Sequence, residues 1–440
     1  MENSLLSRRG HKEGAGGADE HLVWEVSANQ WDPSTNIDGY VSLGIAENSL
    51  SHDELADFLR NKPLVDPSAK AFTYQDGPAG SKLARNAIAS FLNTYFHPVQ
   101  QVQADHLMIT NGVSSAIEHC AWALGDPGDG ILLGRPYYRA FLPDIQLRFG
   151  VNVVPVAFGD VDPCGRACVA EYEKALLKSK AEGVRIRALL LCHPHNPLGR
   201  CYSKTTIIEL MRLCQKYQIH LISDEIYALS VWENTVDKLD TPPTPFESAL
   251  SIDGKDIIDP ALVHVLWGFS KDFGANGVRV GVIVSLNNKP FLTACRTACI
   301  YSSPSSLAES AAIAILSDSK FLTSYIKTNQ KRMSAAYTHA VNLLWKHDIE
   351  YTPGANAAFF LWINLGKKYL QTLGEAARGK SMGTITNEIF QRLMKKKVFL
   401  VLGDAAGAEQ PGWFRMVFTQ PSGSVEEGVR RISEALKNEG

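Results

Sequence analysis

From about residue 80, apolar, β-branched runs of strand length alternate with helical patterns, and this rhythm constrains the fold more than any other feature. The runs are D-H-L-M-I-T, G-I-L-L-G, V-N-V-V-P-V, R-A-L-L-L-C, I-H-L-I-S, V-H-V-L-W and R-V-G-V-I-V-S. They are continuously apolar rather than alternating, so seven strands buried on both faces are expected. Intervening helices such as T-I-I-E-L-M-R-L-C-Q-K-Y supply the crossovers of a mainly parallel sheet. The fold class is therefore α/β, built on a seven-stranded, mainly parallel sheet. The sixth run reaches the seventh through a short link containing Gly and Asn, so that pair is expected to be antiparallel.

At 440 residues the chain is longer than one core supports, which implies two lobes. From Ser306 the rhythm changes to the helix L-A-E-S-A-A-I-A-I-L, a long amphipathic stretch through Tyr325 to Trp345, and the strand A-A-F-F-L-W-I-N-L. A polar loop, another helix and the strand W-F-R-M-V-F follow. The expected organisation is a mobile glycine-rich arm over residues 1–22 and a segment 23–65 that packs with the smaller domain. A large domain over 66–305 and a smaller α+β domain over 306–440 complete it.

A net charge of −2, with 45% apolar and 20% charged residues, provides no basic field for nucleic acid and no polybasic patch for a membrane. A small-molecule partner is expected. No apolar run is long enough to span a bilayer and the N-terminus lacks the apolar core of a signal peptide, which makes the cytosol the default. The eight cysteines are scattered without zinc or redox spacing. Cys192, His193 and His195 lie close in sequence but have no distant ligand pair, so no metal is expected.

The stretch W-G-F-S-K-D-F-G-A-N-G-V-R-V-G, Trp267–Gly281, fixes a lysine and an arginine eight residues apart. Lys271 follows the apolar strand V-H-V-L-W, where partial desolvation favours the neutral amine that attacks an aldehyde. It reads as the lysine that binds pyridoxal 5′-phosphate (PLP) as a Schiff base. The rigid donor fork of Arg279 suits the phosphate of that cofactor, with Gly274 and Gly277 letting the backbone loop between them. A flexible glycine loop bearing two surface cations is the alternative.

Further candidates fall at strand ends, where the loops of a parallel sheet converge. N-G-V-S-S opens a helix whose free N–H groups, with the Ser114 hydroxyl, suit a phosphate; an ordinary helix cap accounts for it equally well. In R-P-Y-Y-R, Tyr138 offers its face to a planar ring or packs at a rim. In H-P-H-N-P-L-G-R, Asn196 donates to a cofactor oxygen or closes a turn. Asp224, in D-E-I-Y, is costly if unpaired at the end of an apolar strand. A protonated pyridine nitrogen is a fitting counter-charge, and a helix cap or salt bridge is the alternative. Tyr227 is placed to reach a phenolic oxygen of the cofactor. Glu47 and Asn48, just before the helix H-D-E-L-A-D-F-L-R, read on their own as loop groups facing solvent.

Seven stretches, L-G-I-A-E-N-S-L, R-N-A-I-A, N-G-V-S-S-A-I-E, H-P-H-N-P-L-G, H-L-I-S-D-E-I-Y, F-S-K-D-F-G-A-N-G-V-R-V-G and P-G-W-F-R, span residues 43–415. Together they resemble the class I/II aminotransferases, PLP enzymes of fold type I, and more closely their 1-aminocyclopropane-1-carboxylate (ACC) synthase-like branch. The resemblance implies that Lys271 carries PLP and shuttles the α-proton, and that Asp224 pairs with the ring nitrogen. Tyr227 and Asn196 would contact the phenolic oxygen and Tyr138 would stack on the ring. Val113 N–H, Ser114 and Arg279 would hold the phosphate. Arg415 matches the arginine for the substrate α-carboxylate, Glu47 matches a substrate-side glutamate of the ACC synthases, and a homodimer is implied.

Two departures stand out. The family commonly has a phosphate-binding serine three residues before the lysine, where this chain has Gly268, so Ser270 or another group is expected to compensate. ACC synthases read F-Q-D-Y-H-G where this chain reads Y-Q-D-G-P-A-G, which places Gly77 or Pro78 opposite their tyrosine. Similar sequences occur among fungal enzymes of secondary metabolism, including transaminases and the carbon–sulfur β-lyases of gliotoxin-type pathways. The expectation is an aminotransferase acting at the α-carbon of an amino acid or conjugate, with a carbon–sulfur lyase second. ACC synthesis ranks below these, and a catalytically silent PLP-fold binding protein last.

Overall fold

The computed structural model describes residues 5–11, 18–65, 70–377 and 380–437. Residues 1–4 and 12–17 of the expected arm lie outside the described residues. The helix Ala18–Ala28 crosses the arm's expected end.

The strand β1 (Val41–Ser42) precedes the seven expected strands, all of which form: β2 (Leu107–Asn111), β3 (Gly130–Gly134), β4 (Asn152–Val156), β5 (Ile186–Cys192), β6 (His220–Asp224), β7 (Val263–Gly268) and β8 (Val280–Val284). Asp105 and His106, read as the start of the first strand, instead form the 3₁₀ turn Ala104–His106, where the Gln103 N–H donates to His106 Nδ1 at 3.2 Å. The seven-stranded sheet has the order β2-β8-β7-β6-β5-β3-β4. The pairs from β4 to β7 are parallel, while β8 runs antiparallel to both β7 and β2. The short link after β7 has no room for a crossover helix, so the chain turns straight back.

Both faces of the sheet are buried. Along β5, Ala188, Leu190 and Cys192 join one core with Ala116, Ile117 and Cys120 of the helix Val113–Leu124. Leu189 and Leu191 join the other, with Ile207, Leu210 and Met211 of the helix Lys204–Tyr217. This is why the strands read as unbroken apolar runs.

After the helices Ser306–Ser317 and Ser319–Lys346, a second, antiparallel sheet is built from β9 (Glu350–Tyr351), β10 (Phe360–Asn364), β12 (Val401–Leu402) and β13 (Trp413–Val417). The strand β11 (Val398–Phe399) pairs in parallel with β1, so the segment before the large sheet is stitched to the C-terminal part of the chain. Because β8 is reversed, the residue before its first position lies at the same sheet edge as the ends of β2, β3, β5, β6 and β7. Six segments converge there. Among the described residues no helix is long and apolar enough to cross a membrane.

Candidate active site

Gly268 ends β7 and the one-turn helix Phe269–Asp272 follows, which sets Lys271 at the sheet edge. Its Nζ donates to the Ala46 carbonyl at 2.6 Å, and Asn276 Nδ2 reaches the same oxygen at 3.1 Å. Burial, together with the positive charges of Arg415 and Arg279, lowers the Lys271 amine to about 7, against the opposing pull of Glu47 and Asp224. The neighbouring Asp272 anchors this turn. Its buried carboxylate accepts from Trp267 Nε1 at 2.9 Å, Ser230 Oγ at 2.8 Å and the Leu229 N–H.

Asp224 is the last residue of β6 and is buried. Burial raises its carboxyl to about 7, only partly offset by the Ile226 N–H and the charge of Lys271. Three residues on, the buried Tyr227 packs edge-on against Phe359 and Phe360. Its hydroxyl receives Asn196 Nδ2 at 3.4 Å. The Asn196 oxygen in turn accepts from Arg415 at 3.1 Å, so the strand ends of the large sheet meet β13 of the small one. Arg415 is only 4% exposed, lies over the Phe360 ring and also donates to the Gly44 carbonyl at 2.7 Å. Its buried Nε has no hydrogen-bond partner among the described residues.

Three glycines shape the opposite end of the site. Gly112, at φ +82°, caps the helix Val113–Leu124, and a side chain there would overlap the Arg279 guanidinium. A Cβ on Gly281 would come within 2.6 Å of the Val113 nitrogen, and one on Gly268 within 2.7 Å of the Val280 carbonyl. The serine common at this place in the family therefore has no room at position 268. Arg279 is held across this surface by the Asn276 carbonyl at 2.9 Å and approaches Ser270 Oγ at 3.5 Å. The first N–H groups of the helix lack intrahelical acceptors, and with Arg279 they form a cradle matched to a phosphate. The observed groups thus fit PLP: a cationic cradle at one end, and a buried, proton-retaining carboxyl in Asp224 at the other.

Of the remaining expected residues, Tyr138 lies beside the site. Its ring meets Phe141 edge-on, and burial raises its phenol, with smaller effects from Asp144, Arg415 and Asp224. Ser114 pulls the Asp144 carboxyl down, but burial outweighs it and raises that carboxyl to about 7, and its buried Oδ2 has no hydrogen-bond partner among the described residues. Glu47 is partly buried and its charge acts on Lys271. Asn48 turns away from the site: its side chain donates to Asn329 at 3.0 Å and closes the turn at Leu50. His193 and His195 are consumed by local bonds, His193 with the Glu247 carbonyl at 3.0 Å and His195 with the Leu198 N–H at 3.3 Å. Among the described residues there is no group of three or more metal-ligating side chains.

Several residues of the site were not singled out from sequence. Asp144 and Phe360 carry no motif signal, and Asn276 lies inside the Trp267–Gly281 stretch without a role assigned to it there. Gly112 and Gly281 lie inside motifs that were recognised, but their meaning lies in how closely three strand ends pack.

The fold is that of the PLP-dependent enzymes of fold type I, and the protein is PLP-dependent. The chain belongs to the aminotransferase class I and II family, whose pattern matches residues 41–432. It is 33% identical over 402 residues to the probable aminotransferase aclI of Aspergillus oryzae, covering 90% of each chain. It is 31% identical over 407 residues to 1-aminocyclopropane-1-carboxylate synthase 3 of Oryza sativa, covering 89% of this chain and 86% of that one. Among solved structures, an aspartate aminotransferase of Thermus thermophilus superposes with a TM-score of 0.73 at 18% identity, over 98% of this chain and all of the other.

Proposed function

We propose that the protein transfers the amino group of an amino acid or amino-acid conjugate to a keto acid, with Lys271 as the proton-moving residue. The observation that carries this is the meeting of Lys271, Asp224 and Arg415 in one buried site, where the charges of Arg415 and Asp224 act on the Lys271 amine and Arg415 is bonded to Asn196, which bonds Tyr227. When bound, PLP supplies an electron sink conjugated to the substrate α-carbon.

In this reading Arg279, the Val113 N–H, Ser114 and Ser270 hold the phosphate, and Asp224 keeps the ring nitrogen protonated. Tyr227 and Asn196 hydrogen-bond the phenolic oxygen, and Tyr138 covers a ring face. Arg415 presents its free Nε–H and a second N–H to the substrate carboxylate. An amine lowered to about 7 is matched to accepting and returning the α-proton near neutral pH. Glu47, acting on Lys271, faces the substrate amine. Two copies of the chain are proposed to form a closed dimer, to be checked by mass in solution.

Gly77 or Pro78 in place of the ACC synthase tyrosine removes an aromatic face for a cationic sulfur, which disfavours ring closure. Gly77 sits at φ +99° in an exposed turn, its N–H bonded to the Tyr74 carbonyl. The test compares S-adenosylmethionine, amino acids with 2-oxoglutarate, and cysteine S-conjugates, with products read by mass spectrometry. Keto-acid-dependent amino transfer is expected. ACC as the main product overturns the proposal, as does release of pyruvate, ammonia and thiol without keto acid, which establishes a carbon–sulfur β-lyase instead.

A further inference from the structure

Asn276 opens the 3₁₀ turn Asn276–Val278, between the lysine and the arginine of the cofactor stretch. Its main-chain carbonyl accepts from Arg279 at 2.9 Å, and its side-chain Nδ2 donates to the Ala46 carbonyl at 3.1 Å. Only the NH₂ half of an amide can donate to a carbonyl, so the oxygen is the half left over. That Oδ1 is buried and has no hydrogen-bond partner among the described residues. A buried acceptor without a donor lowers stability, and a donor that arrives at another stage of the reaction restores it.

The Lys271 amine is a donor close at hand. Its Nζ lies 2.6 Å from the same Ala46 oxygen, so amine and amide converge on one carbonyl. The two segments pack directly against each other: a Cβ on Gly274 would come within 2.2 Å of the Asn48 carbonyl, and His52 Nε2 meets the Gly274 carbonyl at 3.0 Å. The segment bearing Ala46 is also held from β13 and the residues after it, by Arg415 at the Gly44 carbonyl and by Thr419 at the Glu47 carbonyl. A neutral amine has two hydrogens and a lone pair. When it takes the α-proton, the C–H electron pair stays with the substrate, drawn toward bound PLP, and the nitrogen becomes an ammonium with three hydrogens. The Ala46 oxygen and Asn276 Oδ1 then offer that ammonium two acceptors.

We infer that Asn276 is a positioning residue for Lys271: its Nδ2 fixes the Ala46 carbonyl as the resting place of the free amine, and its Oδ1 accepts a hydrogen of that group once the α-proton has been taken. The inference rests on the proposed proton-moving role of Lys271 but not on which reaction follows.

Two variants test it. Asn276→Asp sets a negative charge beside the amine, and Asn276→Leu removes both polar halves of the side chain. Both keep the main-chain carbonyl that holds Arg279, and the other charges around the amine, those of Arg415, Glu47, Arg279 and Asp224, stay in place. The rate of PLP capture by cofactor-free protein is followed from pH 6 to 10, and in Asn276→Asp its midpoint should rise by about one unit or more above that of wild type. An unmoved midpoint overturns the inference, because the side chain then does not sit against the amine. In the loaded enzyme, Asn276→Leu should lower kcat by about ten-fold or more and raise the α-deuterium isotope effect on kcat, with KM and PLP affinity within about two-fold of wild type. An unchanged kcat, or a kcat that falls together with PLP affinity as a general structural loss would make it, also overturns the inference. The visible absorption of the loaded wild type is recorded in parallel. Its absence defeats the wider PLP assignment, whereas a normal band with unaltered variants defeats only the role of Asn276.

Discussion

Arg415 donates to the Asn196 oxygen at 3.1 Å across 219 residues of sequence, and this bond joins strand β13 to the loop that follows β5. Replacing Arg415 with Lys keeps the charge but loses the planar fork. The KM for the amino acid should rise by roughly 10²-fold with PLP retained. Asn196→Ala should cost less, about ten-fold, because Arg415 keeps its bond to Gly44. Steady-state kinetics beside a PLP absorption measurement checks both, and an unchanged KM in Arg415→Lys refutes the assignment.

Asp224 has opposite consequences with and without cofactor. In the cofactor-free fold its carboxyl titrates at about 7, above the unfolded value, so the folded state holds a proton that the unfolded chain has already lost. Stability from this group is full at acid pH and is lost as pH rises through 7. Asp224→Asn removes that penalty and should stabilise cofactor-free protein at pH 8 by about 2 kcal/mol. The same change should lower kcat of loaded enzyme by roughly 10²-fold or more, because the ring nitrogen loses its counter-charge. Thermal melts of the cofactor-free protein at pH 5 and 8, with kcat of the loaded one, test the pair. A variant no more stable at pH 8 than wild type contradicts it.

The glycine cradle predicts a strong size limit. Gly112→Ala places a Cβ against Arg279 at a positive φ, and Gly268→Ser drives one toward the Val280 carbonyl. Each should destabilise the protein by about 1–3 kcal/mol and weaken PLP binding. If Gly268→Ser instead tightens PLP binding, the packing described around Gly268 is wrong.

Much of this was legible in the sequence because burial on both sheet faces leaves unbroken apolar runs, and because Lys271, Asp224, Asn196, Tyr227 and Arg279 each follow or precede such a run. Arg415 was placed by resemblance, since nothing in W-F-R-M-V says that β13 aims an arginine back toward β5. The misassigned start of β2 has a local cause in the Gln103–His106 pairing. Asn48 was read as a loop group facing solvent, yet it is buried and its partner Asn329 lies 281 residues away. The tight contact that excludes a serine at position 268 depends on three strand ends approaching one another, and no local pattern encodes that distance.

The lowered Lys271 amine gives a pH signature. In cofactor-free protein the amine is charged below about 7 and neutral above it. The rate of PLP capture should therefore rise through pH 7 and level off by about pH 8, well short of the usual lysine range near 10.4. Stopped-flow absorption across pH 6–10 measures it. A rate still climbing at pH 9–10 contradicts the buried environment assigned to this lysine.

The most direct measurement is the visible spectrum and mass of wild type and Lys271→Ala after incubation with PLP and borohydride reduction. Wild type should be yellow and, once reduced, carry one PLP per chain on the peptide containing Lys271, while the variant should carry none and turn over no substrate. A wild type that stays colourless with added PLP, or a variant that retains the covalent label, contradicts Lys271 as the cofactor lysine.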